Sequence, residues 1–88
     1  MLFLAEFYLP RGTDLAGLAD RAEAGADQAA RTGATVSFVE AIFVAQDEIC
    51  FAAYLAGSAE QVSAAATMAG LELDRVVPAV RAISVRGS

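Results

Sequence analysis

The chain of 88 residues has no histidine, no tryptophan and a single cysteine, and its six basic residues are all arginine. Each absence removes chemistry. Without imidazole there is no Ser-His-Asp triad, no Cys-His pair and no His-bearing zinc or nickel centre. Without lysine there is neither a Schiff base nor a P-loop cation. One cysteine allows no intrachain disulfide and no Cys-x-x-Cys site. Carboxylates, arginines, tyrosines, one thiol and the backbone remain.

Charge of one sign is also scarce. Eleven acidic residues outweigh six basic ones, for a formal charge of -5. Arg11, Arg21, Arg31, Arg75, Arg81 and Arg86 are scattered, so no basic stripe tracks a phosphate backbone and no cluster holds an anionic membrane. Neither nucleic acid nor membrane is expected as a partner. The opening Met1-Leu2-Phe3-Leu4-Ala5 follows no positive residue and is interrupted by Glu6, so it reads as a strand and not as a secretory leader. No run approaches the roughly 18 apolar residues of a membrane helix. The expected address is the cytoplasm, where a lone thiol stays reduced.

Apolar residues are plentiful, at 57% against a usual share of about 45–50%. A domain this short has little interior to hide them. The surplus implies an alanine-filled core together with an apolar face that meets a partner.

Periodicity divides residues 1–88, one domain, into six elements. Residues 2–10 alternate as a strand that Pro10-Arg11-Gly12 breaks. Thr13 or Asp14 caps a helix running to about Thr32, with Leu15, Leu18, Ala22, Ala26 and Ala29 as its apolar stripe and Gly33 as its stop. Residues 34–44 and 48–55 form two strands around a short turn at residues 45–48, hence an antiparallel hairpin. Ser58 and Gln61 fit a capping box, Val62, Ala65, Ala66 and Ala69 supply a second helical stripe, and Gly70 ends it. A last strand covers about residues 76–85, with Pro78 suited to an edge. Residues 86–88 are expected to fray. The order βαββαβ predicts a ferredoxin-like α+β sandwich, with two helices on one face of a four-stranded antiparallel sheet ordered 4-1-3-2.

One sheet face is then left uncovered. Alternation assigns Phe3, Ala5, Phe7 and Leu9 to the helices and leaves Leu4, Glu6 and Tyr8 open. In the third strand it assigns Ile49, Phe51, Ala53 and Leu55 inward and leaves Glu48, Cys50, Ala52 and Tyr54 open. The second strand is ambiguous, although Glu40 favours placing Val36, Phe38 and Ile42 outside with it. Arg81 shares a side with Val77, Ala79 and Ile83. The candidate ligand-binding residues are accordingly Glu6, Tyr8, Phe38, Glu40, Cys50, Tyr54 and Arg81. A patch of this kind suits a homodimer interface, a small-molecule cavity between two sheets, or both.

Glu6 and Glu40 are the candidates for acid/base work, as paired carboxylates whose pKa values burial could separate. The plainer alternative is that Arg81 neutralises one of them. Cys50 reads as a small apolar residue, Asp47-Glu48 as turn chemistry, and Asp74-Arg75 as a local pair. The sequence calls for no cofactor and offers no acidic loop for calcium.

Several short segments carry a family resemblance: Asp47-Glu48-Ile49-Cys50-Phe51, then Ala56-Gly57-Ser58-Ala59-Glu60-Gln61-Val62, Ala69-Gly70-Leu71 and Asp74-Arg75-Val76. Together with Glu6, Leu9-Pro10 and the Arg21 helix, they resemble a family of small, largely actinobacterial nickel-binding-like proteins. The resemblance implies a dimeric ferredoxin-like sandwich and an association with nickel. This chain departs from it by offering no imidazole, so no metal-ligating position carries over. Three functions stay open: a homodimeric small-ligand-binding or accessory protein, a cofactor-free dimeric α/β-barrel enzyme (isomerase, cyclase or monooxygenase type) using a carboxylate, and a protein-interaction module.

Overall fold

The computed structural model describes residues 1–84. Its elements are β1 (Leu2–Tyr8), α1 (Leu15–Arg31), β2 (Val36–Val44), β3 (Ile49–Ala56), α2 (Ala59–Met68) and β4 (Arg75–Pro78). The sheet order is β2-β3-β1-β4, antiparallel throughout, which is the expected topology. β4 is shorter than the sequence suggests and ends at Pro78. The expected continuation through Val85 and the frayed end at residues 86–88 reach beyond the described residues.

Local chemistry sets the helix ends. The Asp14 carboxylate accepts from Gly17 N–H at 3.1 Å, so Asp14 and not Thr13 is the cap of α1. Ser58 Oγ accepts from Gln61 N–H, while Gln61 reaches back to Gly57 N–H at 2.8 Å, one residue earlier than a standard capping box. Gly33 and Gly70 follow the helices with φ of 104° and 76°, a left-handed backbone that a side chain would strain. Leu15, expected in the apolar stripe, is instead 47% exposed.

The core lies between the helices and one sheet face. Phe3, Ala5, Phe7, Cys50, Ala52, Tyr54 and Ala56 meet Leu18, Ala22, Ala26, Ala29, Val62, Ala65 and Ala66 there. Alanine supplies much of it, as composition suggested, and lets the helices approach closely. At Gly25 a Cβ would stand 2.6 Å from Ala65 O and 2.8 Å from the Ala69 Cβ. Gly25 therefore belongs to the α1–α2 contact, which reading for apolar residues alone passes over.

Two assignments of facing are corrected. In β3 Cys50, Ala52, Tyr54 and Ala56 are buried on the helix side and Ala53 is buried on the other, while Leu55 is exposed and Ile49 and Phe51 are half-buried. The register explains this, since directly opposed residues share a face. Phe3 lies opposite Tyr54, Ala5 opposite Ala52 and Phe7 opposite Cys50. In β2 a bulge between Phe38 and Glu40 inserts Val39 and changes the phase of alternation. Val36 and Phe38 thus pair with the buried Ala56 and Tyr54, whereas Glu40 and Ile42 pair with Ala53 and Phe51 on the open side.

Candidate functional site

The open face is built from Leu2, Leu4, Glu6 and Tyr8 of β1, their partners Leu55, Ala53, Phe51 and Ile49 of β3, and Glu40 and Ile42 of β2. On the other side of β1, Val77 opposes Leu4 and Arg75 opposes Glu6. Helices occupy the opposite face; on this one Ala53 is buried and Leu2, Leu4, Glu6, Ile49 and Phe51 are half-buried. Tyr8 is 62% exposed, Ile42 57%, Leu55 50% and Val39 38%.

Charges on this face occur as two opposite pairs. Arg75 Nε lies 3.8 Å from Glu6 Oε2, and Arg81 Nη2 lies 3.5 Å from Glu40 Oε2. Arg75 thus joins Glu6 across the β1–β4 ladder rather than forming the expected local pair with Asp74, whose N–H donates to the Glu6 carbonyl at 2.8 Å. Glu6 and Glu40 do not form a carboxylate dyad. One opposes Phe51 and the other Ala53, with β3 between them, which places their backbones roughly 12 Å apart.

Arg81 belongs to the segment after β4, which is anchored where Ala79 N–H donates to Leu2 O at 2.9 Å. Its meeting with Glu40 on the far edge strand brings that segment over one end of the open face. There it closes one side of a cavity of about 280 Å³ whose other walls are Leu2, Val39 and Leu55. Tyr8 lies at the other end of β1, beside a separate cavity of about 300 Å³ that also involves Leu71 and Asp74. Of the seven candidates, Glu6, Tyr8, Glu40 and Arg81 share the open side, and Glu40 and Arg81 come together.

Phe38, Cys50 and Tyr54 lie on the helix side, for the reasons of register and bulge given above. The Phe38 ring meets Tyr54 edge to face, at 5.6 Å between centroids. Burial pushes the Cys50 thiol up and the Tyr54 phenol up to about 12, with Cys50 adding to the latter. Neither group is poised to ionise near neutrality. The Tyr54 hydroxyl is buried with no hydrogen-bond partner among the described residues. Leu2, Val39 and Leu55 were not singled out from sequence as cavity residues. The Leu2–Leu55 pairing comes from the register; Val39 lies outward because it follows the inward Phe38, and the bulge brings Glu40 out beside it.

The donor set does not fit a nickel site. There is no imidazole, the thiol is buried on the helix side, and the described residues contain no group of three Cys, Asp or Glu side chains able to hold a metal. No described helix is long and apolar enough to cross a membrane.

No family model matches the chain. No curated protein matches its sequence. Among solved structures it is similar to SCO4226 from Streptomyces coelicolor A3(2), with a TM-score of 0.71 over 94% of this chain and 100% of that one, at 19% sequence identity. At that identity the likeness establishes the fold. The chain is a ferredoxin-like α+β sandwich.

Proposed function

We propose that the protein is a homodimeric small-ligand-binding or accessory protein that pairs through its open sheet faces. The observation carrying this is the face itself: the exposed Tyr8, Ile42 and Leu55 lie on one side of the sheet with the half-buried Leu4 and Phe51, and its opposite charges are already paired. Exposed apolar patches of this extent mark interaction surfaces. Three strands of seven to nine residues and a four-residue β4, about 4.8 Å apart, offer roughly 20 by 20 Å, so two such faces remove on the order of 800 Å² from water, near the lower bound for a specific interface. A second copy presents the same neutralised pairs, so contact brings no unpaired charge against apolar surface.

Ligand binding is the reading favoured over acid/base catalysis. The two carboxylates stand on different strands with separate arginine partners, and neither lines the cavity beside Arg81. Kinship with the nickel-binding-like family is proposed for the scaffold alone. The buried free thiol is compatible with a reducing cytoplasm.

Sedimentation velocity across micromolar concentrations tests the dimer. The expected result is a dimer that Ile42→Asp converts to a folded monomer, with unchanged circular dichroism. A wild-type monomer throughout the range overturns the proposal.

A further inference from the structure

The cavity at the end of the open face has an unusual composition for its size. Three of its lining residues, Leu2, Val39 and Leu55, are hydrocarbon, and the fourth is Arg81. The Arg81 contact to Glu40 is a single one, at 3.5 Å, with about half of each side chain exposed. A charge-assisted hydrogen bond closes at about 2.7–2.9 Å and a guanidinium can present two parallel donors to one carboxylate, so among the described residues this pair retains unused donors and acceptors. An apolar pocket lined by Arg81 therefore opens next to a carboxylate that stands outside its lining, 3.5 Å from the guanidinium.

The complement of that arrangement is a small molecule with an apolar body and a dipolar head. A simple carboxylic acid would satisfy Arg81 but set a second negative charge beside Glu40, on a chain whose net charge is already -5. A simple amine would meet Arg81 with like charge. A zwitterion meets both groups with opposite charge, its carboxylate on Arg81 and its ammonium on Glu40, and leaves its side chain for the hydrocarbon walls. The volume of about 280 Å³ suits a single residue-sized ligand and not a nucleotide or an extended peptide.

We infer that this cavity binds a free α-amino acid with a branched aliphatic side chain. The inference rests on the homodimer reading in one respect, that a facing copy covers the mouth of the cavity and excludes water from the pair. The Arg81–Glu40 pair then orients the ligand rather than merely neutralising the face.

The test is an amide-resolved NMR titration of the full chain with L-leucine, N-acetyl-L-leucine, L-leucinamide and isovalerate. Sedimentation is measured on the same samples. L-leucine is expected to give saturable shifts at Leu2, Val39 and Leu55 with a Kd on the order of 1 mM, reasonable for so small a ligand. The acetylated, amidated and deaminated analogues should each bind at least about tenfold more weakly, as should L-leucine to Arg81→Gln and to Glu40→Gln. Three results overturn the inference: no saturable shifts at these residues up to about 10 mM, isovalerate or N-acetyl-L-leucine binding as tightly as L-leucine, or both variants keeping the wild-type Kd. A dimer without shifts rejects the ligand and leaves the dimer standing. Shifts in a monomer reject the dimer and leave the pocket.

Discussion

The Phe38 ring packs edge to face on Tyr54, and this contact joins the two places where the chain departs from simple alternation. Phe38 is the last regular residue of β2 before the bulge, and Tyr54 sits on the side of β3 opposite to the one its pattern suggested. Edge-to-face aromatic pairs stabilise by about 0.5–1.5 kcal/mol beyond their buried area. The gain comes with a cost, because the Tyr54 hydroxyl is buried without a partner among the described residues.

Removing that hydroxyl should stabilise the fold. An unsatisfied buried donor costs about 1–3 kcal/mol, and phenylalanine keeps the ring. Tyr54→Phe should therefore raise urea-unfolding stability by about 1 kcal/mol at neutral pH. It should also change the response to alkali. Folded Tyr54 ionises near 12, against an ordinary value of 10.0, so between these values the folded chain keeps a proton the unfolded chain has lost. Stability from this group is full below about pH 10 and falls as pH rises toward 12, by about 2–3 kcal/mol. The Cys50 thiol, raised from 9.0 by burial, starts the decline earlier. Urea midpoints measured from pH 8 upward should fall in wild type and fall less in Tyr54→Phe. A variant destabilised at neutral pH would show that the hydroxyl is satisfied after all.

At the helix contact the expected effect has the opposite sign. Gly25→Ala improves helix propensity by about 1 kcal/mol, which alone would stabilise α1. Its new methyl, however, meets the Ala65 carbonyl at 2.6 Å and the Ala69 methyl at 2.8 Å, with backbone on one side and no flexible side chain to yield. Overpacking of this kind costs about 1–3 kcal/mol, so the net change should be a loss of about 1 kcal/mol or more. Thermal melts of Gly25→Ala beside Ala24→Gly, an exposed neighbour, separate the two effects. A Gly25→Ala protein more stable than wild type would mean that the helices are not held this close.

These cases mark how far the sequence can be read. Element order, the Ser58 cap and a first cap at Thr13 or Asp14 followed from local rules, because Asp14, Ser58, Gly33 and Gly70 act on their immediate neighbours. Strand facing did not follow in β3, where alanine, tyrosine and cysteine alternate with isoleucine, phenylalanine and leucine and both sets are apolar. Volume suggested the larger set for the core, but the core beneath this strand is lined by helix alanines and closes around Tyr54. Among the candidate site residues, Glu6, Tyr8, Glu40 and Arg81 were legible because charged or polar tips identify an open face. Leu2 and Leu55 were not, since their pairing depends on register, which is a property of two distant segments at once.

The bulge at Val39 makes the most specific prediction. Phe38 faces the helices and Ala41 does too, so Val39 and Glu40 together occupy one outward step. Deleting Val39 leaves Phe38, Glu40, Ala41, Ile42 and Phe43 in strict alternation, with every one of them on its present side. Deleting Ala41 instead sets Glu40 between the half-buried Phe38 and Phe43 on the helix side, at the exposed place Ala41 now holds, and takes it away from Arg81. The first deletion should give a folded protein within about 1–2 kcal/mol of wild type. The second should cost about 1 kcal/mol more than the first, because it sets a carboxylate between two aromatic rings and breaks the Arg81–Glu40 pair. Because Val39 is also a cavity wall, the Val39 deletion should weaken L-leucine binding while keeping the dispersed amide spectrum of a folded sheet. Equal tolerance of both deletions would show that β2 is not bulged in solution.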